Sequence, residues 1–303
     1  MSDIAISAQR LRKAYGSNEA VRGIDLEVRR GEIFAFLGPN GAGKTTTVEI
    51  LEGYRERTEG EATVLGRDPA AVDRAWRERI GIVLQDCRME PKLTVRETLR
   101  MYAGYYSRPR SVEETIELIG LGAKADERAE ALSGGQQRRL DVGVALVGDA
   151  ELLFLDEPTT GFDPSARRQF WDVISGLRGL GKTVFLTTHY MDEAQALADR
   201  VAVIADGRIV GEGTVDELGG RGEAASEISF ALPAGTSAED LPEQVGGASA
   251  AGNGRMMLRT DQPTAVLNAL TGWALEHGCE LSRLEVRRPS LEDIYLELTR
   301  EDG

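Results

Sequence analysis

Residues 38 to 46, Gly-Pro-Asn-Gly-Ala-Gly-Lys-Thr-Thr, carry the spacing G-x-x-x-x-G-K-[ST], which is suited to holding phosphate. Glycines at 38, 41 and 43 let the backbone bend until its N–H groups converge on phosphate oxygens. A helix starting just after adds the positive end of its dipole. In this pattern Lys44 reaches the β- and γ-phosphates and the Thr45 hydroxyl ligates Mg²⁺, while Pro39, Asn40, Ala42 and Thr46 complete the cradle. The flanks have the required form. Ile33-Phe34-Ala35-Phe36-Leu37 is an unbroken apolar run, the pattern of a strand buried on both faces, and Thr46 to Glu52 can run on as a helix that Gly53 caps. A glycine-rich turn with a chance lysine would need neither flank.

A second apolar run, Leu152-Leu-Phe-Leu155, ends in Asp156-Glu157-Pro158. Two carboxylates therefore stand just past the carboxyl end of a buried strand, where open α/β sheets build their sites. Asp156 is placed to hold Mg²⁺, directly or through water, opposite Thr45. Glu157 has no reason to share that duty and is placed to orient or deprotonate an attacking water. Alone the pair is a common acidic strand exit; beside a phosphate loop it becomes a hydrolytic site. Further along, Leu132-Ser-Gly-Gly-Gln-Gln137 precedes a helix with Leu140, Val144 and Val147 on one stripe, and Ser133-x-x-Gln136 resembles a capping box. Its N–H groups, hydroxyl and the glycines Gly134 and Gly135 make a second anion site. One phosphate loop needs no duplicate. The second site serves either a separate anion or a γ-phosphate presented by another copy of the chain.

The elements that must position these groups can be read from periodicity. Alternation at Val21, Ile24, Leu26 and Val28 predicts half-buried antiparallel strands near the N-terminus. Buried strands are predicted at Ile80–Leu84, Leu152–Leu155, Thr183–Thr187 and Val201–Ala205, with helical patterns between most of them, which indicates a largely parallel sheet. Asp206-Gly207 signals a hairpin into Arg208-Ile-Val210. From about 94 to 131 the strand pattern stops, and the capping boxes Thr94-x-x-Glu97 and Ser111-x-x-Glu114 open helices of an insert. Gly219 to Gly222 reads as a linker. Beyond it, strands at Ile228–Leu232, Arg255–Leu258 and Leu281–Val286, a helix at Thr264–Glu276 and a last helix from Ser290 to about Leu298 predict a small α+β appendage. Gly246 to Gly254 has nothing to bury and is expected to be a mobile loop. No internal repeat is found.

A chain of 303 residues fits two domains, one of them a large α/β unit. No stretch reaches 18 apolar residues, and the first residues lack the basic and apolar regions of a signal peptide, so a cytosolic protein is expected. Cys87 and Cys279 lie far apart, which suits a reducing compartment and offers no metal-ligand spacing. The net charge of −14 repels nucleic acid and anionic lipid, so no nucleic-acid partner is expected and any membrane contact must be specific. The basic pairs Arg138-Arg139 and Arg167-Arg168 fall inside predicted helices and read as solvated faces.

With these motifs in this order, residues 1 to about 218 resemble the nucleotide-binding subunit of an ABC transporter. The resemblance implies an α/β P-loop NTPase fold with a mostly parallel core sheet, an N-terminal antiparallel β-subdomain and a helical insert; residues 223–303 are read from their own pattern as a separate small α+β domain. It implies that Tyr15 stacks on adenine, that residues 38 to 46 are the Walker A loop, and that Gln85 touches Mg²⁺ and faces the membrane partner. Leu132 to Gln136 matches the family signature; Asp156 and Glu157 match Walker B and the catalytic carboxylate, Asp163 the D-loop aspartate, and His189 the switch histidine that senses the γ-phosphate. His277, the other histidine, sits at a predicted helix end and is expected to be solvated. The implied mode is a head-to-tail dimer in which each ATP lies between one copy's Walker A loop and the other's signature helix. ATP binding closes the pair, hydrolysis releases it, and the insert with Gln85 passes the motion to an integral membrane permease on whose inner face the subunit sits.

Pro289-Ser-Leu-Glu-Asp-Ile-Tyr-Leu-Glu-Leu298 resembles the C-terminus of daunorubicin-resistance-type exporters, which pump drugs, lipids or polysaccharides outward. Phe162 stands where the D-loop usually has leucine, and Cys87-Arg-Met-Glu90 follows Gln85 in a region that varies with the permease. Soluble ATPases of DNA repair and paired-cassette translation factors share the motifs. The former need a long coiled coil or a basic surface, and the latter two cassettes in one chain; neither is present. A P-loop kinase leaves the signature helix and D-loop unexplained.

Overall fold

Each core strand buries one row of side chains above the sheet and the next below it, which is why the sequence shows unbroken apolar runs there. The computed structural model describes residues 3–85, 89–218, 226–233, 235–250 and 255–287. It divides into two compact units, Met1–Thr214 and Val215–Gly303. In chain order the first holds β1 (Ile4–Tyr15), β2 (Asn18–Arg29), β3 (Ile33–Leu37), α1 (Lys44–Leu51), β4 (Glu59–Val64), α2 (Arg74–Arg77), β5 (Ile80–Val83), α3 (Val95–Ala103), α4 (Val112–Leu118), α5 (Gly134–Val147), β6 (Leu152–Asp156), α6 (Pro164–Gly179), β7 (Thr183–Thr188), α7 (Met191–Leu197), β8 (Arg200–Ala205) and β9 (Arg208–Thr214).

The central sheet has the order β5-β6-β7-β3-β8-β9, parallel except for the edge strand β9. Phe34, Phe36, Leu152, Phe154 and Phe185 face one core, shared with α1 and with the antiparallel sheet β2-β1-β4. Ile33, Leu153, Leu155, Val184 and Leu186 face the other, under α5, α6 and the insert helices α3 and α4. Phe185 packs against Phe34, Phe36 and Phe154 at 5.7 Å between ring centroids, a hub that fixes the spacing of three neighbouring strands. The carboxyl ends of β3, β5, β6 and β7 are thereby aligned at one edge, where the chemistry-bearing loops emerge.

In the insert, Thr94 and Glu97 form the reciprocal capping box, whereas at Ser111 the side chain accepts from the Glu114 N–H without the reciprocal bond. An isolated bridge, Thr94 to Arg128, closes the insert on itself. The second unit contains α8 (Val215–Leu218), β10 (Ser226–Ala231), β11 (Ser249–Ala250), β12 (Arg255–Thr260), α9 (Pro263–Glu276) and β13 (Glu285–Arg287). Its antiparallel sheet, β11-β12-β10-β13, shares a core of Ile228, Phe230, Leu258, Leu270 and Trp273 with α9. His277 caps α9 and is exposed, as expected. Part of the expected mobile loop is ordered: Ser249 and Ala250 pair with Met257 and Met256. Cys87, the linker Gly219–Gly222, residues 251–254, and the tail from Pro289 to Leu298 lie outside the described residues.

Candidate functional site

The phosphate loop emerges from β3 into a space that admits only glycine at two points. A Cβ on Gly38 would come within 2.4 Å of the Ile204 carbonyl, and Gly43 has φ +107 with a Cβ position 2.5 Å from the Ala20 carbonyl. Gly43 is the N-cap of α1 and provides no side-chain cap, so the helix presents its first amides toward the loop. The cavity there is about 300 Å³ and is lined by Ala20, Asn40, Gly41, Gly43, Lys44, Thr45, Thr46, Gln85 and Glu157. Lys44 is only 4% exposed and donates to the carbonyls of Gly38 at 2.7 Å and Pro39 at 3.2 Å. Pro39 is exposed at the rim and Ala42 is buried behind the loop.

Asp156 ends β6 opposite Thr187 of β7. The Thr187 hydroxyl donates to Asp156 Oδ1 and accepts from the Glu157 N–H at 3.1 Å, so one side chain orients both acidic residues. Burial pushes the Asp156 carboxyl above its ordinary range, with the Glu157 charge adding to that and the Thr187 hydroxyl, Lys44 and Arg138 opposing it. Glu157 sits in left-handed backbone, φ +42, which is costly for a non-glycine residue and turns its carboxylate back over the loop. Its Oε1 lies 3.3 Å from Lys44 Nζ, and its Oε2 lies 3.3 Å from His189 Nδ1 without hydrogen-bond alignment. His189 leaves the end of β7 with its ring tilted against Tyr190, 4.0 Å between centroids.

The structure therefore gathers Lys44, Thr45, Gln85, Asp156, Glu157 and His189 at one sheet edge. Tyr15 does not line the cavity; the residue is 43% exposed, with Lys13 Nζ at 5.2 Å and Arg55 Cζ at 5.3 Å from its ring centroid. Nor do Ser133, Gly134, Gly135, Gln136 or Asp163 line it. Ser133 and Gln136 form a reciprocal capping box, and Gly135 allows α5 to approach α6, where an added Cβ would stand 3.0 Å from Ala166 Cβ. Asp163 caps α6 by accepting from the amides of Ser165 and Ala166.

Sequence reasoning missed Thr187 and misread Arg138. The strand pattern that placed Thr187 inside β7 carried no sign of its two acidic partners. The pair Arg138-Arg139 is not a solvated face: Arg138 is 7% exposed and donates to four backbone carbonyls, and Arg139 is half-buried against the Gly120 carbonyl. Arg167 is likewise half-buried, paired with Asp192 at 3.0 Å over the Tyr190 ring, while Arg168 is exposed.

Glu52, at the C-terminal cap of α1, is buried beside this acidic cluster. Burial, the Asp156 charge and then Glu49 raise its carboxyl to about 8. The folded chain thus holds a proton there that the unfolded chain releases from about pH 4.5 upward, so this group lowers stability as pH rises from about 4.5 to about 8. Glu52→Gln is expected to raise the melting temperature at pH 8 by at least about 3 °C and to change it little at pH 5. Thermal unfolding at both pH values checks this; an equal shift at both would reject the protonated state.

A family model described as ABC transporter matches residues 21–160, and one described as the ABC transporter domain-containing protein-like C-terminal domain matches 226–290. The chain is 36% identical over 315 residues to the daunorubicin resistance ATP-binding protein DrrA3 of Streptomyces coeruleorubidus, covering 100% of this chain and 98% of that protein. It is 38% identical over 316 residues to the Nod factor export ATP-binding protein I of Rhizobium sp. (strain N33), covering 99% and 98% respectively. A solved dimeric post-hydrolysis state of an ATP-binding cassette bound to ADP and Pi matches with a TM-score of 0.61 at 25% identity, over 69% of this chain and 98% of that one. Likeness along the full length of such relatives agrees with the loop, carboxylates and histidine gathered at one sheet edge: the chain belongs to the ATP-binding, ATP-hydrolysing subunits of ABC transporters.

Proposed function

We propose that this ATPase drives export of a drug, lipid or polysaccharide through a separate integral membrane permease, by closing on a second copy of itself around ATP. The observation that carries this is the split between the two anion sites. Lys44, Gln85, Glu157 and the uncapped α1 amides line one cavity, while the capped start of α5, with Ser133 and Gly134 exposed, stands outside it. In a head-to-tail pair, Ser133 to Gln136 of one copy covers the γ-phosphate held by residues 38 to 46 of the other, and Asp163 lies at the seam. The relatives' names speak of daunorubicin resistance and Nod factor export, which supports outward transport. Among the described residues no helix is long and apolar enough to cross a membrane. In this reading the permease supplies the spanning path and the subunit sits on its inner face.

In this reading Tyr15 stacks on adenine, with Lys13 and Arg55 adding positive charge beside it. The γ-phosphate competes with Glu157 for the Lys44 ammonium, which frees the carboxylate to orient and deprotonate water. His189, 3.3 Å from the same carboxylate, reads whether the γ-phosphate is present. Asp156, Thr45 and Gln85 offer hard oxygen donors that fit Mg²⁺, and among the described residues no cluster of three or more His, Cys, Asp or Glu exists to hold a metal by itself. That matches an ion that keeps water and substrate phosphates as its other ligands. When bound, Mg²⁺ neutralises charge on the β- and γ-oxygens.

Ser133→Arg tests the shared arrangement. With its own phosphate loop intact, the variant is expected to bind ATP normally, yet turnover falls by about tenfold or more because the arginine blocks the partner's pocket. Loss of the cap costs about 0.5–2 kcal/mol, so melting temperature is followed alongside. ATP-dependent dimerisation and turnover at wild-type levels would count against a shared site.

A further inference from the structure

Arg138 lies one turn into α5, just past the Ser133–Gln136 cap, and its side chain is 8% exposed. Its Nε donates to the Pro158 carbonyl at 3.1 Å and its Nη2 to the Asp156 carbonyl at 3.0 Å. Its Nη1 reaches the Leu84 carbonyl and the Gln85 carbonyl, the latter at 3.3 Å, and stands 3.6 Å from Asp141 Oδ2. One guanidinium thus meets the chain leaving β5, the turn leaving β6, and α5 itself. The two carbonyls it holds at the end of β6, those of Asp156 and Pro158, belong to the residues on either side of Glu157, whose backbone is left-handed. Such a conformation persists only where the surroundings over-determine it. Here the Glu157 N–H is tied to Thr187 from one side and its neighbours to Arg138 from the other. For packing alone a buried cation is a poor choice, since an apolar side chain of similar volume usually serves as well. The planar fork that reaches several carbonyls at once is a property of arginine that lysine lacks.

We propose that Arg138 is a positioning residue for hydrolysis: its guanidinium ties the helix that carries Ser133 to Gln136 to the backbone of Gln85 and of Asp156 to Pro158, so that the seat of this helix sets where the Glu157 carboxylate stands. It acts through Glu157 and Asp156 and does not touch nucleotide. The proposal rests on the assignment of those carboxylates to hydrolysis.

Arg138→Lys keeps the charge and loses the fork. It is expected to lower kcat by about tenfold or more while KM for ATP stays within about twofold. ATP-driven dimerisation, read in a Glu157→Gln background, is expected to persist. Asp141→Asn, which leaves the arginine in place but removes its counter-charge, is expected to lower kcat less. Arg139→Ala, next along the helix and, among the described residues, bonded into the insert through the Ile119 and Gly120 carbonyls, serves as the control with unchanged kcat. Turnover within about twofold of wild type in a folded Arg138→Lys protein would overturn the proposal. So would parallel loss of dimerisation and melting temperature, the mark of a merely structural role. If Arg138→Lys does not fold, Asp141→Asn decides: an unchanged kcat at a wild-type melting temperature overturns the idea. Loss of turnover in Glu157→Gln with none in Arg138→Lys defeats this proposal alone, whereas normal turnover in Glu157→Gln defeats the assignment beneath it.

Discussion

Glu157→Gln is expected to keep ATP binding and to lower hydrolysis by about 10²- to 10⁴-fold, the usual worth of a general base. The substitution preserves shape, and the Glu157 N–H bonds to the Thr187 carbonyl and hydroxyl do not depend on the side chain. What changes is basicity at a carboxylate 3.3 Å from Lys44 Nζ and 3.3 Å from His189 Nδ1. Because ATP still binds, closed dimers should accumulate. Phosphate release and a nucleotide titration on the same preparation check both halves; near-normal turnover would reject the role.

Lys44→Ala is expected to lose binding and turnover together. A charge-assisted hydrogen bond to phosphate contributes about 1.5–3 kcal/mol, so ATP affinity falls by about 10- to 100-fold. Charge developing on the transferred group also loses a preorganised cation, which lowers turnover at saturating ATP by about 10²- to 10³-fold. The ammonium is buried and donates to the Gly38 and Pro39 carbonyls, so its removal also leaves Glu157 without its counter-charge in the pocket. ATP affinity and turnover at wild-type values would contradict the assignment. The two variants separate binding from chemistry: one retains the nucleotide and stalls, the other fails to hold it.

The residues legible from sequence are those whose partners are near in the chain. The phosphate loop is a local pattern, and the capping boxes at Thr94 and Ser133 are set by a spacing of three residues. The core strands were readable because burial on both faces leaves no polar alternation to confuse them. By contrast, β4 was missed: only Ala62 and Val64 of Glu59–Val64 are buried, and its pairing with β1 is written in the partner strand. Arg138 was misread for the same reason. Its carbonyl partners lie between 18 and 54 positions away, and a basic side chain inside a helix gives no local sign of them. Thr187 meets Asp156 across 31 positions through strand register alone. Glu52 looked like the last residue of an ordinary helix, and only the fold places it against Asp156. The split between the two anion sites could be read as a surplus in the sequence, but which surface covers which phosphate depends on a second copy.

That dependence can be seen directly in a crystal structure of the Glu157→Gln chain grown with ATP and Mg²⁺. The expected result is a tripolyphosphate held between residues 38 to 46 of one copy and Ser133 to Gln136 of the other, with Asp163 at the seam. A tripolyphosphate wholly enclosed by a single copy, or bound away from the loop, would contradict the shared site.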